Sequence, residues 1–249
     1  MKFFSTKPLA MALVSMLLAS CMGNSRGTQQ VTGSFTPISD EPQSTRDMTF
    51  TIEGHLDADA PDAATQYEKV TWTHFPSDVD ELRQAQQQLG HSLGGAVALQ
   101  LMAFEIYRHD RTAGEEAVRL VNHRNNHSSV LRQLSQHFSE TTNPDDLYIQ
   151  PYLVACNLEG ATTDNHYSPT HPYSITVYWD KARQVEQASV YMGGGQLFYV
   201  HLLNPNYSTP ERRVQVILNE GAQYLLIHNS PSLYTQCPPI LGEWTYEMR

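Results

Sequence analysis

The sequence has few basic residues. Of its 249 residues, 16 are Lys or Arg against 26 Asp or Glu, so the formal net charge is −10. A nucleic-acid-binding protein needs a surplus of cations to neutralise phosphates, and this balance argues against nucleic acid as a partner. Charged residues make up only 17% of the chain and hydrophobic residues 40%. This composition excludes collagen-like, coiled-coil and wholly disordered chains, and leaves one ordinary domain or two small ones.

Long hydrophobic runs are also lacking. The apolar stretch at residues 9–18 has Ser15 as its only polar side chain, but a helix needs about 20 apolar residues to cross hydrocarbon. Lys2 and Lys7 precede it, so residues 1–20 have the pattern of an export signal peptide. The best later candidate, residues 96–104, includes Gln100 and is too short as well. We expect a soluble folded part that is attached to a membrane by one end.

The end of this signal is more specific. The residues Leu18-Ala19-Ser20-Cys21 resemble the lipobox of bacterial lipoproteins. The resemblance implies cleavage before Cys21 and attachment of fatty acyl chains, such as palmitate, to its thiol and new amine. Several acyl chains hold a protein firmly on a bilayer, at about 0.8 kcal/mol per buried methylene. The lipid bilayer is then the first partner, and the protein belongs in the bacterial cell envelope, facing the periplasm or the exterior. The alternative is ordinary signal cleavage beside a chance cysteine.

Cysteine is scarce, with three in the chain. Assigning Cys21 to lipid leaves Cys156 and Cys237. In an exported chain this pair permits one disulfide, whose closed loop of about 80 residues would contribute roughly 4 kcal/mol. Two buried thiols that pack as small apolar residues explain the pair nearly as well. The sequence leaves both interpretations open.

The composition also divides the chain. Residues 22–47 are rich in Ser, Thr, Gly, Gln and Pro and contain only four large apolar side chains. We therefore assign residues 21–47 to a flexible tether that spans about 25–30 Å. Residues 48–241 form a single folded domain, and residues 242–249 form a short C-terminal tail. No internal repeat is present.

The order of helical and strand patterns predicts the fold class. Ser77 with acids at 80 and 81 predicts a helix start, and Thr112 with Glu115 predicts a capping box. Hydrophobic spacing then predicts four helices between residues 79 and 138, the second of them buried. Strands are predicted at 48–52, 173–179, 196–203, 213–219 and 223–228. This order indicates α+β, with an N-terminal cluster of about four helices packed on a C-terminal antiparallel sheet of four to five strands.

One catalytic motif stands in the helical part. Gly90-His91-Ser92-Leu93-Gly94-Gly95 resembles the G-x-S-x-G nucleophile elbow of the lipase branch of α/β-hydrolases. That elbow requires an apolar strand before the serine. Residues 81–89 instead contain an arginine and four glutamines, which is the composition of a solvated helix. We expect Gly90 to end one helix and Ser92 to cap the next, with a serine esterase using Ser92 as the alternative function.

A second pattern involves histidines. His123 and His127 have the spacing of two metal ligands on one helix face. The residues between them, 124–126, look like a helix end, and the glutamate of an HExxH motif is lacking. We predict no metal site and no cofactor.

The stretch at residues 158–173 joins the predicted helices to the first strand that follows them. Asn165, His166, Tyr167 and His171 form a polar and aromatic cluster on a loop, where ligand sites tend to occur. The same residue types also suit an Asx-turn and an extended path before proline, and we favour this structural role.

The same stretch is similar to one in an uncharacterised family of bacterial exported domains. The shared features are Gly160-Ala161-Thr162, Asn165, Tyr167-x-Pro169 and Pro172-Tyr173. The resemblance extends from about Val70 to Leu241 and implies a shared fold, but no mechanism. With the lipobox, it predicts a lipid-anchored envelope protein that acts as a non-catalytic binding or accessory module. The expected further partner is an envelope protein or a glycan.

Overall fold

The computed structural model describes residues 29–32, 48–57, 66–139, 150–179, 186–188, 195–204, 206, 211–234 and 237–238. The predicted signal peptide (1–20), Cys21 and the C-terminal tail (242–249) lie outside the described residues. Within the described ranges, no helix has the length and apolar character needed to span a membrane.

Four α-helices follow one another within the described residues. They are α1 (Val79–Leu89), α2 (Leu93–His109), α3 (Arg111–Val121) and α4 (His127–His137). The predicted number is confirmed, but two of the predicted caps are wrong. Asp78, not Ser77, caps α1, because its Oδ1 accepts the Glu81 N–H at 2.9 Å. Asp110, not Thr112, caps α3 by accepting the N–H groups of residues 112 and 113. In both cases a carboxylate is the acceptor for the free N–H groups of the first turn.

In the part of the chain that the structure describes, eight strands form one antiparallel sheet in the order β1-β2-β3-β4-β6-β7-β8, with β5 paired to β6. The α+β class is confirmed, with more strands than the four to five predicted, because β1, β3 and β5 were not recognised. The strands are β1 (Gln29–Thr32), β2 (Thr49–Gly54), β3 (Tyr67–Trp72), β4 (Tyr173–Trp179), β5 (Glu186–Ala188), β6 (Gly195–Leu203), β7 (Glu211–Asn219) and β8 (Leu226–Asn229).

Two of the additional strands, β3 and β1, are not predicted from the sequence, each for a different reason. In β3 the buried positions are Glu68, Val70 and Trp72, so a glutamate at the inward position hides the apolar alternation. Strand β1 lies within the segment predicted as a flexible tether, and it pairs with β2 from Gln29↔Ile52 to Thr32↔Thr49. The segment predicted as a tether therefore contains one strand, at residues 29–32.

Helix α2 is the centre of the core. Its residues from Leu93 to Tyr107 are all buried, which confirms the prediction of a buried second helix. It packs on the sheet through β3, β4, β7 and β8, and α1, α3 and α4 pack around it. At the α2–α3 contact a Cβ on Gly114 would lie 2.1 Å from the Cα of Tyr107. Only glycine permits this approach of the two helices.

The sheet therefore has two unlike faces. The inner face, which packs on the helices, is apolar and includes Phe50, Val70, Ile175, Val200 and Val216. Because side chains alternate along a strand, the residues between these positions belong to the opposite, outer face. On the outer face Leu197, Tyr199 and Ile217 form a second, smaller buried cluster.

Candidate functional site

The glycine-rich segment 90–95 connects two helices. Helix α1 leads into it, where a nucleophile elbow needs a strand. Gly90 ends α1, and its N–H donates to the Gln86 carbonyl at 2.8 Å. Ser92 is the N-cap of α2, with an extended backbone, and its Oγ accepts the Gly95 N–H at 2.9 Å. The serine hydroxyl thus satisfies one of the free donors of a helix N-terminus.

A buried carboxylate from β3 meets the same helix end. The Oε2 of Glu68 accepts the Gly94 N–H at 2.5 Å, and its Oε1 accepts the Leu56 N–H at 3.4 Å. The Ser92 hydroxyl also hydrogen-bonds the Glu68 side chain. We call Leu56, Glu68, Ser92 and the first turn of α2 the Glu68 junction. It joins β3, the segment after β2 and the central helix through one side chain.

Burial dominates the electrostatics of the Glu68 junction. Glu68 is only 2% exposed, and its burial raises the pKa of the carboxyl group above the ordinary value of 4.5. The hydrogen bonds from Gly94, Leu56 and Ser92 and the nearby His55 lower it in part. The carboxylate faces the positive end of the helix dipole, which favours a negative charge there. The sequence does not identify Glu68 as a site residue. Ser92 lies 24 positions later, and no residue beside Glu68 indicates that the two side chains meet.

Asn165 organises the loop at residues 158–172. Its Oδ1 accepts the N–H groups of Thr162 at 2.8 Å and Ser168 at 3.1 Å. Its Nδ2 donates to the carbonyls of Gly160 at 2.7 Å and Ser168 at 3.1 Å. The side-chain amide therefore uses both acceptor sites and both donors within the loop.

The other three candidate ligand residues of the loop lie in different surroundings. Tyr167 is fully buried, donates its hydroxyl to the Pro238 carbonyl at 2.7 Å and stacks on Tyr152 at 4.9 Å. Burial raises the pKa of this tyrosine. His171 hydrogen-bonds the Thr73 carbonyl at 2.6 Å, apart from the turn around Asn165. His166 is exposed beside Tyr167, and both residues have a left-handed backbone, with φ near 54° and 53°.

Glu159 fixes the start of this loop to the outer face of the sheet. Its carboxylate contacts the Lys69 ammonium at 2.6 Å and accepts the hydroxyls of Ser174 at 2.8 Å and Thr176 at 2.6 Å. Burial raises the pKa of Glu159, but the hydrogen bonds from Lys69, Thr176 and Ser174 outweigh it, so the pKa lies below its ordinary value.

A disulfide between Cys156 and Cys237 links the residues before this loop to the end of the domain. The two Cα atoms are 6.7 Å apart. The buried Gln150 side chain accepts the Cys237 N–H at 2.7 Å and donates to its carbonyl at 3.0 Å. The Asn204 amide donates to the Cys156 carbonyl at 2.7 Å. Sequence analysis missed both amides, because a buried glutamine or asparagine has no local pattern that distinguishes it from an exposed one.

The histidines at 123 and 127 do not lie on one helix. A 3-10 turn (Arg124–Asn126) separates them, and the His127 Nε2 contacts the Asn122 carbonyl at 2.8 Å. His123 instead faces His228, with ring centroids 5.4 Å apart. Burial lowers the pKa of both rings, and His228 adds to this at His123. Among the described residues no three His, Cys, Asp or Glu side chains are placed to hold a metal ion.

The outer face of the sheet carries aromatic and charged side chains in register, of which Tyr67 and Arg213 are exposed, Tyr178 is half-buried and His201 is buried. Tyr67 pairs with Tyr178, Tyr178 with His201, and His201 with Arg213, so these four side chains cross strands β3, β4, β6 and β7. We call them the outer-face row. The Tyr178 and His201 rings are 5.5 Å apart. Tyr67 is 45% exposed, and Leu203, on the same face, is 44% exposed; they are the exposed large hydrophobic residues in the described part.

Comparison with known proteins identifies the family. The model of a domain of unknown function, DUF6935, matches residues 74–240. This range agrees closely with the extent of the resemblance found from the sequence, and it leaves β1–β3, including Glu68, before the matched part. No curated protein and no solved structure matches the chain. Since the match covers about two thirds of the chain, the protein belongs to the DUF6935 family of domains.

Proposed function

We propose that this protein is a lipoprotein of the bacterial cell envelope, acylated at Cys21, whose α+β domain is a non-catalytic binding module. The anchor rests on the Leu18-Ala19-Ser20-Cys21 motif after a short apolar stretch. The Cys156–Cys237 disulfide supports an exported location, because disulfides persist in oxidising compartments such as the periplasm and the cell exterior.

The outer-face row is the observation that supports binding. Side chains with large apolar surfaces are informative when they are exposed together on one face, as Tyr67 and Leu203 are. Tyrosine rings offer flat surfaces for a sugar ring or an apolar side chain, and the exposed Arg213 places a positive charge at the end of the row. The polar groups of the Glu68 junction and of Asn165 are instead bonded to the protein backbone. We therefore place the binding surface on the outer face.

The binding proposal is tested with purified domain on an array of envelope polysaccharides and peptidoglycan fragments. We expect at least one glycan to bind, with about tenfold weaker binding after Tyr67→Ala or Arg213→Ala, which corresponds to about 1.4 kcal/mol. Gln136→Ala on the exposed surface of α4 is the control and should leave binding unchanged. A protein that ignores the whole array, or binds equally well after all three substitutions, contradicts a glycan site on this face.

The anchor is tested separately by mass spectrometry of the full chain produced in a bacterial host. We expect the N-terminal peptide to begin at Cys21 and to have the added mass of acyl chains. The Cys21→Ser variant should lose both the added mass and the membrane fraction. An unmodified Cys21 in membrane-free protein would refute the lipoprotein assignment.

The serine esterase remains the second candidate because one contact favours it. The Ser92 hydroxyl hydrogen-bonds the Glu68 carboxylate, a group that can accept its proton. Against this, the Ser92 Oγ also accepts the Gly95 N–H, and a helix cap accounts for both contacts.

A further inference from the structure

The turn between α3 and α4 covers the edge of the sheet at β8. Asn122 pairs with Ile227 in a parallel bridge, and the His123 N–H donates to the Ile227 carbonyl at 2.8 Å. We call residues 122–126 the edge turn. It occupies backbone groups that an edge strand otherwise exposes.

A β-bulge places a histidine opposite the edge turn. Residues 215 and 216 are consecutive on β7, but they pair with Asn229 and Ile227, so His228 is an extra residue on β8. Its ring faces that of His123, with the ring centroids 5.4 Å apart and the ring planes inclined at 53°. The two imidazoles thus form a side-chain contact between the edge turn and β8.

The surroundings of this pair oppose a positive charge. His123 is 6% exposed, and the Nδ1 of His228 is buried with no hydrogen-bond partner among the described residues. The groups that act on the charge of His123 are His228, Arg124 in the edge turn and His127 at the start of α4, and each is cationic when charged. Residues 215–217 of β7, which pair with β8 or flank the bulge, are uncharged. Burial, followed by these cationic groups, lowers the pKa of His123 below 6.5, and burial lowers the pKa of His228.

Neutral amides hold the edge turn from the interior. The Asn122 Nδ2 donates to the Gln100 Oε1 on α2 at 2.6 Å, and the Asn126 Nδ2 donates to the Asn122 Oδ1 at 3.0 Å. All three side chains are buried, so release of the turn also costs these hydrogen bonds. The turn should therefore open rarely at neutral pH. Amides do not titrate, whereas histidine changes its charge in mild acid.

We propose that the His123–His228 pair is a pH-sensitive switch, which keeps the edge turn on β8 while both rings are neutral and releases it when both are protonated. Two imidazolium ions repel each other at this separation, and in the described part of the chain no carboxylate acts on either ring. Release uncovers backbone donors and acceptors of β8. The inference does not depend on acylation of Cys21 or on ligand binding at the outer-face row.

Hydrogen exchange of the full chain at pH 7 and pH 5 tests the switch. Because both pKa values are lowered, the contact has its full stability above pH 6.5 and weakens as the pH falls through the lowered values. Release adds a proton to both rings, so the protection factor of the His123 amide should fall at least about tenfold from pH 7 to pH 5. Amides at residues 97–104 of α2 should keep their protection, which excludes global unfolding.

Phenylalanine substitutions separate the charge of the rings from their packing. His228→Phe leaves one titrating ring, so the loss of protection should shrink to about threefold. His123→Phe/His228→Phe should show no loss between the two pH values. His91→Phe is the matched control, because the exposed His91 ring contacts Tyr224 at 5.2 Å with the same inclination of 53°. This control should keep the full tenfold loss of about the wild-type size.

NMR titration of the rings in wild type and His228→Phe tests the switch even if the double variant does not fold. Both wild-type rings should titrate below pH 6.5, and His228→Phe should raise the pKa of His123, because one repelling charge is removed. Titration of either ring at or above pH 6.5 overturns the switch. Unchanged protection of the His123 amide at pH 5, or an equal loss in wild type and the double variant, overturns it as well.

Discussion

The two faces of the sheet hold carboxylates in opposite environments, and two neighbouring residues of β3, Glu68 and Lys69, mark the difference. Glu68 points inward, where its buried carboxylate accepts the Gly94 and Leu56 N–H groups. Lys69 points outward, where its ammonium contacts the half-exposed carboxylate of Glu159. Burial raises the pKa of Glu68, whereas hydrogen bonds from Lys69, Thr176 and Ser174 overcome burial and lower the pKa of Glu159.

The difference shows how polar groups are used in this domain. In the interior, a single carboxylate serves several backbone donors, and its loss leaves them without partners in a low dielectric. On the outer face and in the loop at 158–172, each polar side chain makes several contacts at half-buried or exposed positions, where solvent weakens each contact. Both regions resemble functional sites by composition, yet most of their described contacts hold the scaffold together. Four substitution experiments test this contrast.

Removing the inner carboxylate should have the largest effect. Glu68→Ala leaves the N–H groups of Gly94 and Leu56 and the Ser92 hydroxyl without their acceptor, and it opens a cavity. We expect the free energy of unfolding to fall by about 3 kcal/mol, measured by urea denaturation. Glu53→Ala, an exposed glutamate on β2, is the control and should change it by less than about 0.5 kcal/mol. Equal effects of the two substitutions would remove the contrast between the faces.

Removing the loop amide should have an intermediate effect. Asn165→Ala deletes four side-chain hydrogen bonds that join residues 160, 162 and 168. Because the loop is exposed and water replaces part of each bond, we expect a loss of about 2 kcal/mol. Asp164→Ala, at the neighbouring exposed position, should have little effect in the same denaturation assay. If Asn165→Ala leaves stability unchanged but abolishes glycan binding, Asn165 serves a ligand and our structural assignment is wrong.

Removing the helix cap should have a smaller effect. Ser92→Ala removes the acceptor of the Gly95 N–H and one donor to Glu68. A lost N-cap costs about 1 kcal/mol, which denaturant titration resolves. Ser135→Ala within α4 removes an exposed hydroxyl that donates to the Arg132 carbonyl, and it should be neutral. A neutral Ser92→Ala would mean that the cap contributes nothing to stability.

The change of stability with pH should be the smallest effect. Its sign should differ between Glu68 on the inner face and Glu159 on the outer face. Glu68 has a raised pKa, so its contribution to stability is present below pH 4.5 and is lost as the pH rises through the raised value. Glu159 has a lowered pKa, so its contribution is present above pH 4.5 and is lost as the pH falls through the lowered value. The stability difference between wild type and Glu68→Gln should therefore decrease as the pH rises from 4.5. The difference for Glu159→Gln should decrease as the pH falls from 4.5, and slopes of the same sign would contradict the assigned environments.

Local patterns predicted much of this fold because local chemistry sets it. The glutamines before Gly90 predict helix α1, and the small and apolar residues after Ser92 predict the helix that Ser92 caps. Aromatic and β-branched residues predict β4 with its correct bounds, Tyr173–Trp179. These features depend on neighbours within a few residues.

What sequence analysis missed depends on distant partners. Glu68 interrupts the alternation of β3, and its reason for being buried is a helix end 26 residues later. Gln150 is buried because it pairs with the backbone of Cys237, 87 residues away. Strand β1 has a tether-like composition, and it becomes a strand by pairing with the edge of β2. Tertiary contacts determine whether such residues are buried or paired, and the periodicity of a single segment cannot reveal those contacts.

We infer that the Ser92 hydroxyl in the motif Gly90-His91-Ser92-Leu93-Gly94-Gly95 caps a helix and does not act in catalysis. Labelling with a fluorophosphonate probe tests this claim, because the probe forms a covalent bond only with an activated serine. Wild type and Ser92→Ala, both shown to be folded, should give the same background signal. Strong labelling of wild type that disappears in Ser92→Ala would show an activated nucleophile at Ser92 and contradict the claim.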